Sequence, residues 1–297
     1  MRLQGLILFC AAAVVAGAAD FPPINDPVTG DSFPGKFIWA DLYTSDQPAA
    51  EAFYTGLFHW TATTIDRETG SGAHNYVVLS NGGRPIAGIV HRPLQTKDKV
   101  HGRWVGYVSV DDVPKAVEAE TAAGGSVLFP AKDLPGRGTQ AIIADRDGAI
   151  LGLLHSSSGD PGEYRPEAGD WTWAELFASD TEAESQFYRD VLHYEIMPDT
   201  RSDRPGGFIF ASGGCSRASL APLPSSHRSA KPGWLLFVRV ASVQDTLALA
   251  SSLGGKIRVA PKDIGAKMQM AIISDPLGEA IGVVELAEPS GGPKEQP

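Results

Sequence analysis

One segment occurs twice in this chain. WADLYTSDQPAAEAFYTGLFHW begins at Trp39, and WAELFASDTEAESQFYRDVLHY begins at Trp173. A second pair follows in the same order, because GGSVLFPAKDLPGRGTQAIIADRDGAILGLL from Gly124 matches GGKIRVAPKDIGAKMQMAIISDPLGEAIGVV from Gly254. Segments that recur in one order indicate a tandem duplication. The chain has 297 residues, which is enough for two domains of ordinary size.

Each half divides further into two modules of the order β-α-β-β-β. KFIWADLYT alternates as a strand does, Asp46 stands where a helix N-cap belongs, and apolar residues at helical spacing follow it. Short strands come next, and RWVGYVSVDD then opens a second module whose helix stops at a Gly pair. The second half repeats this order. The sequence therefore predicts an α+β protein with four βαβββ modules.

The predicted boundaries follow changes in composition. The first 19 residues, 1–19, combine Arg2, a short apolar run and small residues, which is typical of a cleavable secretory signal peptide. We predict domains at 33–155 and 170–287, a Gly/Pro/Ser-rich linker at 156–169 and a flexible tail at 288–297. The mature protein would be periplasmic or secreted. An uncleaved membrane anchor and a lipid-modified Cys10 are the alternatives.

Charge and cysteine content narrow the function classes. The net charge is −10, and the sequence contains no basic cluster with interleaved aromatic residues, so a nucleic-acid partner is not expected. Loss of the signal peptide would leave Cys215 as the single cysteine, which excludes an internal disulfide. We expect a small organic molecule as the partner, no membrane contact in the mature form, and either a monomer or a homodimer.

The chain resembles the vicinal oxygen chelate superfamily, which includes glyoxalase I, extradiol dioxygenases and bleomycin-resistance proteins. The resemblance rests on the paired modules, on the strand–Asp–helix segment that ends in FY…LF.W, and on the closing D.(D/L)G…G hairpin, and it spans about residues 33–286. It implies two glyoxalase-like half-barrel domains, each formed by two modules around a cleft, and leaves open whether the modules pair within each half or across the halves. It also implies that catalytic members bind one divalent metal through four ligands, one on each cleft strand.

Those ligand positions hold other residue types in this chain. The resemblance carries them onto Trp39, Gly88, Val105 and Gly152 in the first half and, in the second half, onto Trp173, positions 218–220, Leu235 and Gly282. None is His, Gln, Glu or Asp, the types that hold such an ion. We therefore predict no metal, no other cofactor and no assignable catalytic residue. We expect His91 and His155 to point away from the clefts, and His59 and His193 to end helices. His74, His101 and His227 lie in loop-like sequence without a partner at useful spacing.

Strand alternation predicts which side chains face each cleft. They provide an indole, a second aromatic ring and a carboxylate: Trp39, Asp41, Tyr43 and Tyr107 in the first half, and Trp173, Glu175 and Phe177 in the second. We predict these as ligand-binding residues, since such groups suit a cationic or planar molecule. The glycines opposite are expected to leave space for a flat ligand. In the structural alternative, the carboxylates pair with an Arg or a backbone amide and the indoles fill the core.

Three functions remain open at this point. The first is an exported glyoxalase-like protein that lacks the family metal site and binds a small organic ligand in an aromatic-lined cleft. The second is a metal-dependent lyase, isomerase or dioxygenase of the superfamily. The third is a structural or interaction module whose clefts are filled by its own side chains.

Overall fold

The structure is a computed structural model that describes residues 21–65, 68–69, 72–73, 75–93, 102–201, 205–224, 231–265 and 268–287. The predicted signal peptide and tail lie outside the described residues, as do His74, His101 and His227. Among the helices of the described ranges, none is both long enough and apolar enough to cross a bilayer.

The first half contains two successive modules. Its elements are β1 Phe37–Thr44, α1 Gln47–Phe58, β2 Thr61–Ile65, β3 Glu68–Thr69, β4 Gly72–Ala73, β5 Tyr76–Asn81, β6 Arg84–His91, β7 Gly102–Ser109, α2 Val113–Ala122, β8 Ser126–Leu134, β9 Gly138–Ala144 and β10 Ile150–Ser156.

The second half repeats the order without the β3–β4 ribbon in its described residues. Its elements are β11 Trp171–Ala178, α3 Thr181–Leu192, β12 Glu195–Pro198, β13 Phe208–Ser212, β14 Cys215–Pro222, β15 Gly233–Val240, α4 Val243–Ser252, β16 Lys256–Asp263, β17 Gln269–Ser274 and β18 Ala280–Glu285.

Modules pair within each half and not across the halves. The first eight-stranded sheet has the order β2-β5-β6-β1-β7-β10-β9-β8, and the second has the matching order β12-β13-β14-β11-β15-β18-β17-β16. In the first sheet β1 runs antiparallel to β7 and parallel to β6. Two open mixed sheets with few helices confirm the predicted α+β class.

The caps of the repeated helices are as the sequence predicted. Asp46 accepts a hydrogen bond from the backbone N–H of Ala49, and Asp180 accepts one from Ala183 in the second half. Each helix is followed by a histidine in the left-handed conformation, with φ 58° at His59 and 57° at His193. Both histidines are exposed and end their helices.

The two sheets share one core, which is built from their helix-bearing faces. Helix α1 packs near α4, and α2 packs near α3. The indole N–H of Trp104 donates to the hydroxyl of Tyr54 at 2.9 Å, and that hydroxyl donates to Asp275 of the other half at 3.3 Å.

The equivalent contact repeats with the halves exchanged. Trp234 donates to Tyr188 at 2.9 Å, and Tyr188 donates to Asp145 at 2.9 Å. Both carboxylates also hold the tight turn before the last strand of their own sheet through backbone N–H groups. The concave faces of the sheets are therefore left outside this shared core.

Candidate functional site

Strand alternation divides β1 between the two faces of its sheet. Ala40 and Leu42 belong to the core shared by both halves, whereas Trp39 and Tyr43 belong to a separate cluster on the concave face. The same division holds on β11, where Trp173 and Phe177 lie in the concave cluster of the second sheet. The predicted site residues thus lie in two separate clefts, one per half.

In the first cleft the predicted residues bind one another. Asp41 is buried and accepts hydrogen bonds from the indole N–H of Trp39 at 2.8 Å and from the Tyr76 hydroxyl at 2.7 Å. The hydroxyls of Tyr43 and Tyr107 lie 2.9 Å apart. Burial raises the pKa of Tyr43 and Tyr107 above their ordinary value, so both phenols are neutral at physiological pH.

A guanidinium group fills the centre of the first cleft. Arg137 is 1% exposed, and its Cζ atom lies 4.5 Å from the centre of the Trp39 ring system. It donates to the Tyr76 hydroxyl at 3.0 Å. Burial alone would lower the pKa of Arg137, but Tyr76 and Asp41 outweigh it and raise that pKa. The cation is therefore permanent, and the Asp41 carboxylate balances it through Tyr76.

The segment before β1 covers this guanidinium. Arg137 Nε donates to the carbonyl of Pro22 at 3.3 Å, and the Phe21 ring meets the Tyr76 ring edge-on at 5.2 Å. Ile24 is also buried against the concave cluster. Side chains and a segment of the same chain therefore occupy the first cleft.

The glycines opposite the indoles do not leave space for a ligand, and that expectation is wrong. A Cβ atom at Gly88 would lie 1.9 Å from the Tyr76 hydroxyl oxygen, and one at Gly152 would lie 2.2 Å from the Tyr107 ring. At Gly282 it would lie 2.2 Å from the Phe237 ring. These positions require glycine because aromatic side chains of neighbouring strands lie directly against the backbone and would clash with a Cβ atom.

The second cleft has a different interior. It contains a cavity of about 180 Å³ that is open on one side. The indole, one carboxylate, one guanidinium and mostly apolar side chains line it: Thr172, Trp173, Glu175, Arg201, Phe237, Ile264, Met268, Met270, Val284 and Leu286. The indole N–H of Trp173 donates to the Ser219 hydroxyl at 2.9 Å, and that hydroxyl donates to Glu175 at 3.2 Å. Phe177 lies in the adjoining apolar cluster.

Strand register explains one difference between the clefts. Val78 pairs with Gly88 in the first sheet as Ile209 pairs with Ser219 in the second. Two residues earlier stands Tyr76 in the first sheet and a glycine in the second, at position 207. The phenol that anchors Arg137 therefore has no counterpart. The position equivalent to Arg137 is a lysine, residue 267, which lies outside the described residues.

The donor groups in both clefts do not fit the divalent metal of the resembling family. In the first sheet Asp41 pairs with Gly88, and in the second sheet Glu175 pairs with Ser219. The ligand position predicted within 218–220 is therefore Ser219, which offers only a hydroxyl. Within the described ranges, no three His, Cys, Asp or Glu residues come together as a metal site would require. His155 is exposed, and its Nδ1 lies 3.2 Å from the Val110 carbonyl oxygen, outside the cleft.

A family model matches both halves of the chain. The Glyoxalase/Bleomycin resistance protein/Dioxygenase superfamily matches residues 36–153 and again residues 172–283. The chain belongs to this superfamily. The resemblance stated from the repeated motifs is thereby confirmed, as are the two glyoxalase-like domains.

Two relatives match nearly their whole length. The protein "Putative glyoxylase CFP32" of Mycobacterium tuberculosis is 28% identical over 254 residues, which cover 84% of this chain and 94% of the relative. The protein "Anthracycline biosynthesis protein DauV" of Streptomyces sp. strain C5 is 29% identical over 267 residues, which cover 86% and 94%.

Solved structures of the superfamily show the same fold. The Mn(II)-bound glyoxalase from Novosphingobium aromaticivorans aligns with a TM-score of 0.58 at 15% identity, covering 86% of this chain and 84% of that one. A homoprotocatechuate 2,3-dioxygenase variant from B. fuscum aligns with a TM-score of 0.59 at 13% identity, covering 92% and 76%. At these identities the likeness concerns the fold alone.

Proposed function

We propose that this superfamily member is an exported protein that binds a small planar organic molecule in its second cleft, without the family metal. The observation that carries the proposal is the cavity of about 180 Å³ beside Trp173 and Glu175. An apolar cavity of roughly 150 Å³ is large enough to bind benzene. One aromatic ring, with part of a second at the open side, is therefore the expected guest.

The lining of the cavity supports a planar guest. Trp173 and Phe237 offer aromatic surfaces, and Met268 and Met270 offer flexible thioethers that adapt to ring edges. A buried carboxylate, that of Glu175, provides an acceptor for an N–H group or a cation on the ligand. This is the combination of apolar walls and few polar groups that small-molecule sites use.

The first cleft has a structural role in this proposal. Its ligand-sized space is taken by Arg137, Tyr76 and the segment that begins at Phe21. We therefore propose that the two clefts together bind one ligand per chain, in the second cleft. The name of the Streptomyces relative links that protein to anthracycline biosynthesis, and this favours a small organic ligand.

Calorimetric titration with two naphthalene compounds tests the proposal. We expect 2-naphthylmethylamine to bind the second cleft at least about tenfold more tightly than naphthalene-2-methanol, because only the amine is charged opposite Glu175. Glu175→Gln should remove this preference, and Met270→Trp should abolish amine binding by filling the cavity. Amine binding that Met270→Trp leaves unchanged contradicts the proposed site.

The metal-free and exported parts of the proposal have separate tests. Elemental analysis of the purified protein should find no stoichiometric Mn, Fe, Ni, Co or Zn, and stoichiometric metal would favour the lyase or dioxygenase alternative. Expression of the full chain in bacterial cells should yield a periplasmic or secreted protein. Its measured mass should correspond to a chain cleaved after Ala18 or Ala19. A full-length protein in the cytoplasm or the membrane would contradict export.

A further inference from the structure

A larger cavity lies between the two halves, and the cleft indoles Trp39 and Trp173 form part of its lining. It measures about 330 Å³, and we call it the interdomain groove. Phe37, Trp171 and Leu236 form part of its apolar lining. The segment that joins β10 to β11 contributes Pro161 to Tyr164. Its volume falls within the range of about 300–1,000 Å³ typical of small-molecule sites.

Two cations in this groove share a single carboxylate. Arg217 Nη1 lies 2.5 Å from Oε1 of Glu163, and Lys36 Nζ lies 3.6 Å from its Oε2. The Arg217 side chain is 7% exposed and the Glu163 side chain is 41% exposed. The cations are thus fixed in the wall of the groove, while the anion that neutralises them stands at its solvent side.

The anion belongs to the joining segment, whereas one cation precedes the first strand of the first sheet and the other lies on the second sheet. Lys36 lies just before β1 and donates to the carbonyls of Pro161 and Gly162 at 2.6 and 2.7 Å. Arg217 lies on β14, where its Nε donates to the Ser212 hydroxyl at 2.9 Å. Removing Glu163 from between them would leave both cations in place without their shared carboxylate.

We propose that the interdomain groove binds a small aromatic carboxylate, which replaces the Glu163 carboxylate between Lys36 and Arg217. The ring of the ligand lies against Phe37, Trp171 and Leu236. Glu163 then acts as a competitor built into the chain, and swings toward solvent when the ligand binds.

Charge and exposure favour this exchange. Burial alone would raise the pKa of Glu163, but Arg217 and Lys36 outweigh it and lower that pKa, so the site selects an ionised carboxylate. A guanidinium binds such a group through two parallel hydrogen bonds. The Glu163 carboxylate is 41% exposed, so water screens its ion pairs and reduces their contribution to stability. A ligand carboxylate that also buries its ring therefore competes well with the Glu163 side chain.

The other end of the groove does not attract an anion in the same way. Arg84 donates to both oxygens of Asp170, at 3.0 and 3.1 Å, and to the Tyr164 hydroxyl at 2.7 Å. Asp170 is buried, and it also accepts from Asn81. This carboxylate cannot leave without stranding several donors, so the exchange is confined to Glu163.

Calorimetric titration with 2-naphthoate tests the proposal. Naphthalene-2-methanol, which has the same ring and no charge, should bind the groove at least about tenfold more weakly. Glu163→Gln should tighten 2-naphthoate binding at least about threefold, because the competing charge is gone. The matched control is Glu167→Gln, which removes the same charge from a side chain that is 79% exposed and beside Arg84. It should leave the affinity unchanged.

Further variants define the outcome. Arg217→Gln should weaken 2-naphthoate binding at least about tenfold, with thermal unfolding used to confirm that the variant folds. Met270→Trp, which fills the second cleft, should leave the affinity for 2-naphthoate unchanged. Absence of binding overturns the proposal, as does equal tightening by Glu163→Gln and Glu167→Gln, or no tightening by Glu163→Gln. Loss of 2-naphthoate binding in Met270→Trp would place the acid in the second cleft and also overturns it.

Discussion

Arg137 places its guanidinium 4.5 Å from the centre of the Trp39 ring system, in the cleft where the superfamily's catalytic members are expected to hold a metal. The pair is buried. A fixed organic cation therefore stands on the concave face of the first sheet, and the carboxylate of the same face, Asp41, is linked to it through the Tyr76 hydroxyl. This arrangement fills the first cleft, and the second is therefore the one we propose as the ligand site.

The first prediction concerns the stability that this cation provides. Arg137→Met should lower the free energy of unfolding by about 3 kcal/mol, because it leaves the Asp41 carboxylate buried without its cation. Urea unfolding measures the loss. The control is Arg189→Met, since Arg189 pairs with Asp190 on the surface and both are more than half exposed; it should change stability by less than about 0.5 kcal/mol. Equal effects of the two substitutions would contradict a buried charge pair.

The second prediction concerns the glycines beneath the aromatic rings. Gly152→Ala should destabilise the protein by about 2 kcal/mol or more, since its Cβ would lie 2.2 Å from the Tyr107 ring. Gly233→Ala is the control, because a Cβ there meets no atom within 4 Å and that backbone does not need a positive φ. Thermal unfolding of both variants measures the difference. A melting temperature of Gly152→Ala equal to that of the wild type would contradict the packing.

The third prediction concerns pH. Burial raises the pKa of Glu184 and Glu279 to about 8, and it also raises the pKa of Asp145 and Asp275. The folded state therefore binds more protons than the unfolded state between about pH 4.5 and pH 8. Stability should fall as pH rises through this window and level off above it.

Urea unfolding between pH 5 and pH 9 measures this slope. Glu279 lies against the backbone N–H of Trp104 from the other half. Glu279→Gln should therefore recover about 1–2 kcal/mol at pH 8, a value reduced for partial solvent exposure. Glu118→Gln, on the exposed side of α2, should leave the slope unchanged. A stability that rises with pH over this range would mean that these carboxyls are not held protonated in the fold.

The fourth prediction concerns the contact between the halves. Tyr54→Phe removes the hydroxyl that links Trp104 to Asp275 and should cost about 1–2 kcal/mol. Tyr188→Phe removes the equivalent hydroxyl in the other half and should cost a similar amount. The two effects should add in the double variant, because the pairs share no residue. Unequal effects measured by thermal unfolding would contradict the pseudo-symmetry of the contact.

The features that the sequence predicted correctly are those set by residues close to one another along the chain. The repeat predicted four modules, Asp46 and Asp180 were identified as caps, and alternation along β1 assigned Trp39 and Tyr43 to one face. These features are set within a few residues, so spacing alone defines them. The sequence left the pairing of modules open, because that pairing depends on contacts between distant strands.

A filled cleft was one of the alternatives that the sequence left open, but Arg137 was not identified as the residue that fills it, for a physical reason. Arg137 lies alone in PGRGTQ, and its burial depends on Tyr76 from another strand and on Pro22 from the segment before β1. The glycines at positions 88 and 152 indicated that some group lies close to the backbone there, but the sequence did not show which group it is. The ligand-binding roles of the clefts' side chains remain predictions: Trp39, Asp41, Tyr43, Tyr107, Trp173, Glu175 and Phe177.

The central claim is that, of the two clefts, only the second binds a planar molecule, and that it needs no metal to do so. Calorimetry of 2-naphthylmethylamine in the presence of excess EDTA tests it most directly. We predict one site per chain, the same affinity with and without the chelator, and loss of binding in Met270→Trp but not in Arg137→Met. Binding that disappears with EDTA, or that depends on Arg137 and persists in Met270→Trp, would contradict the account.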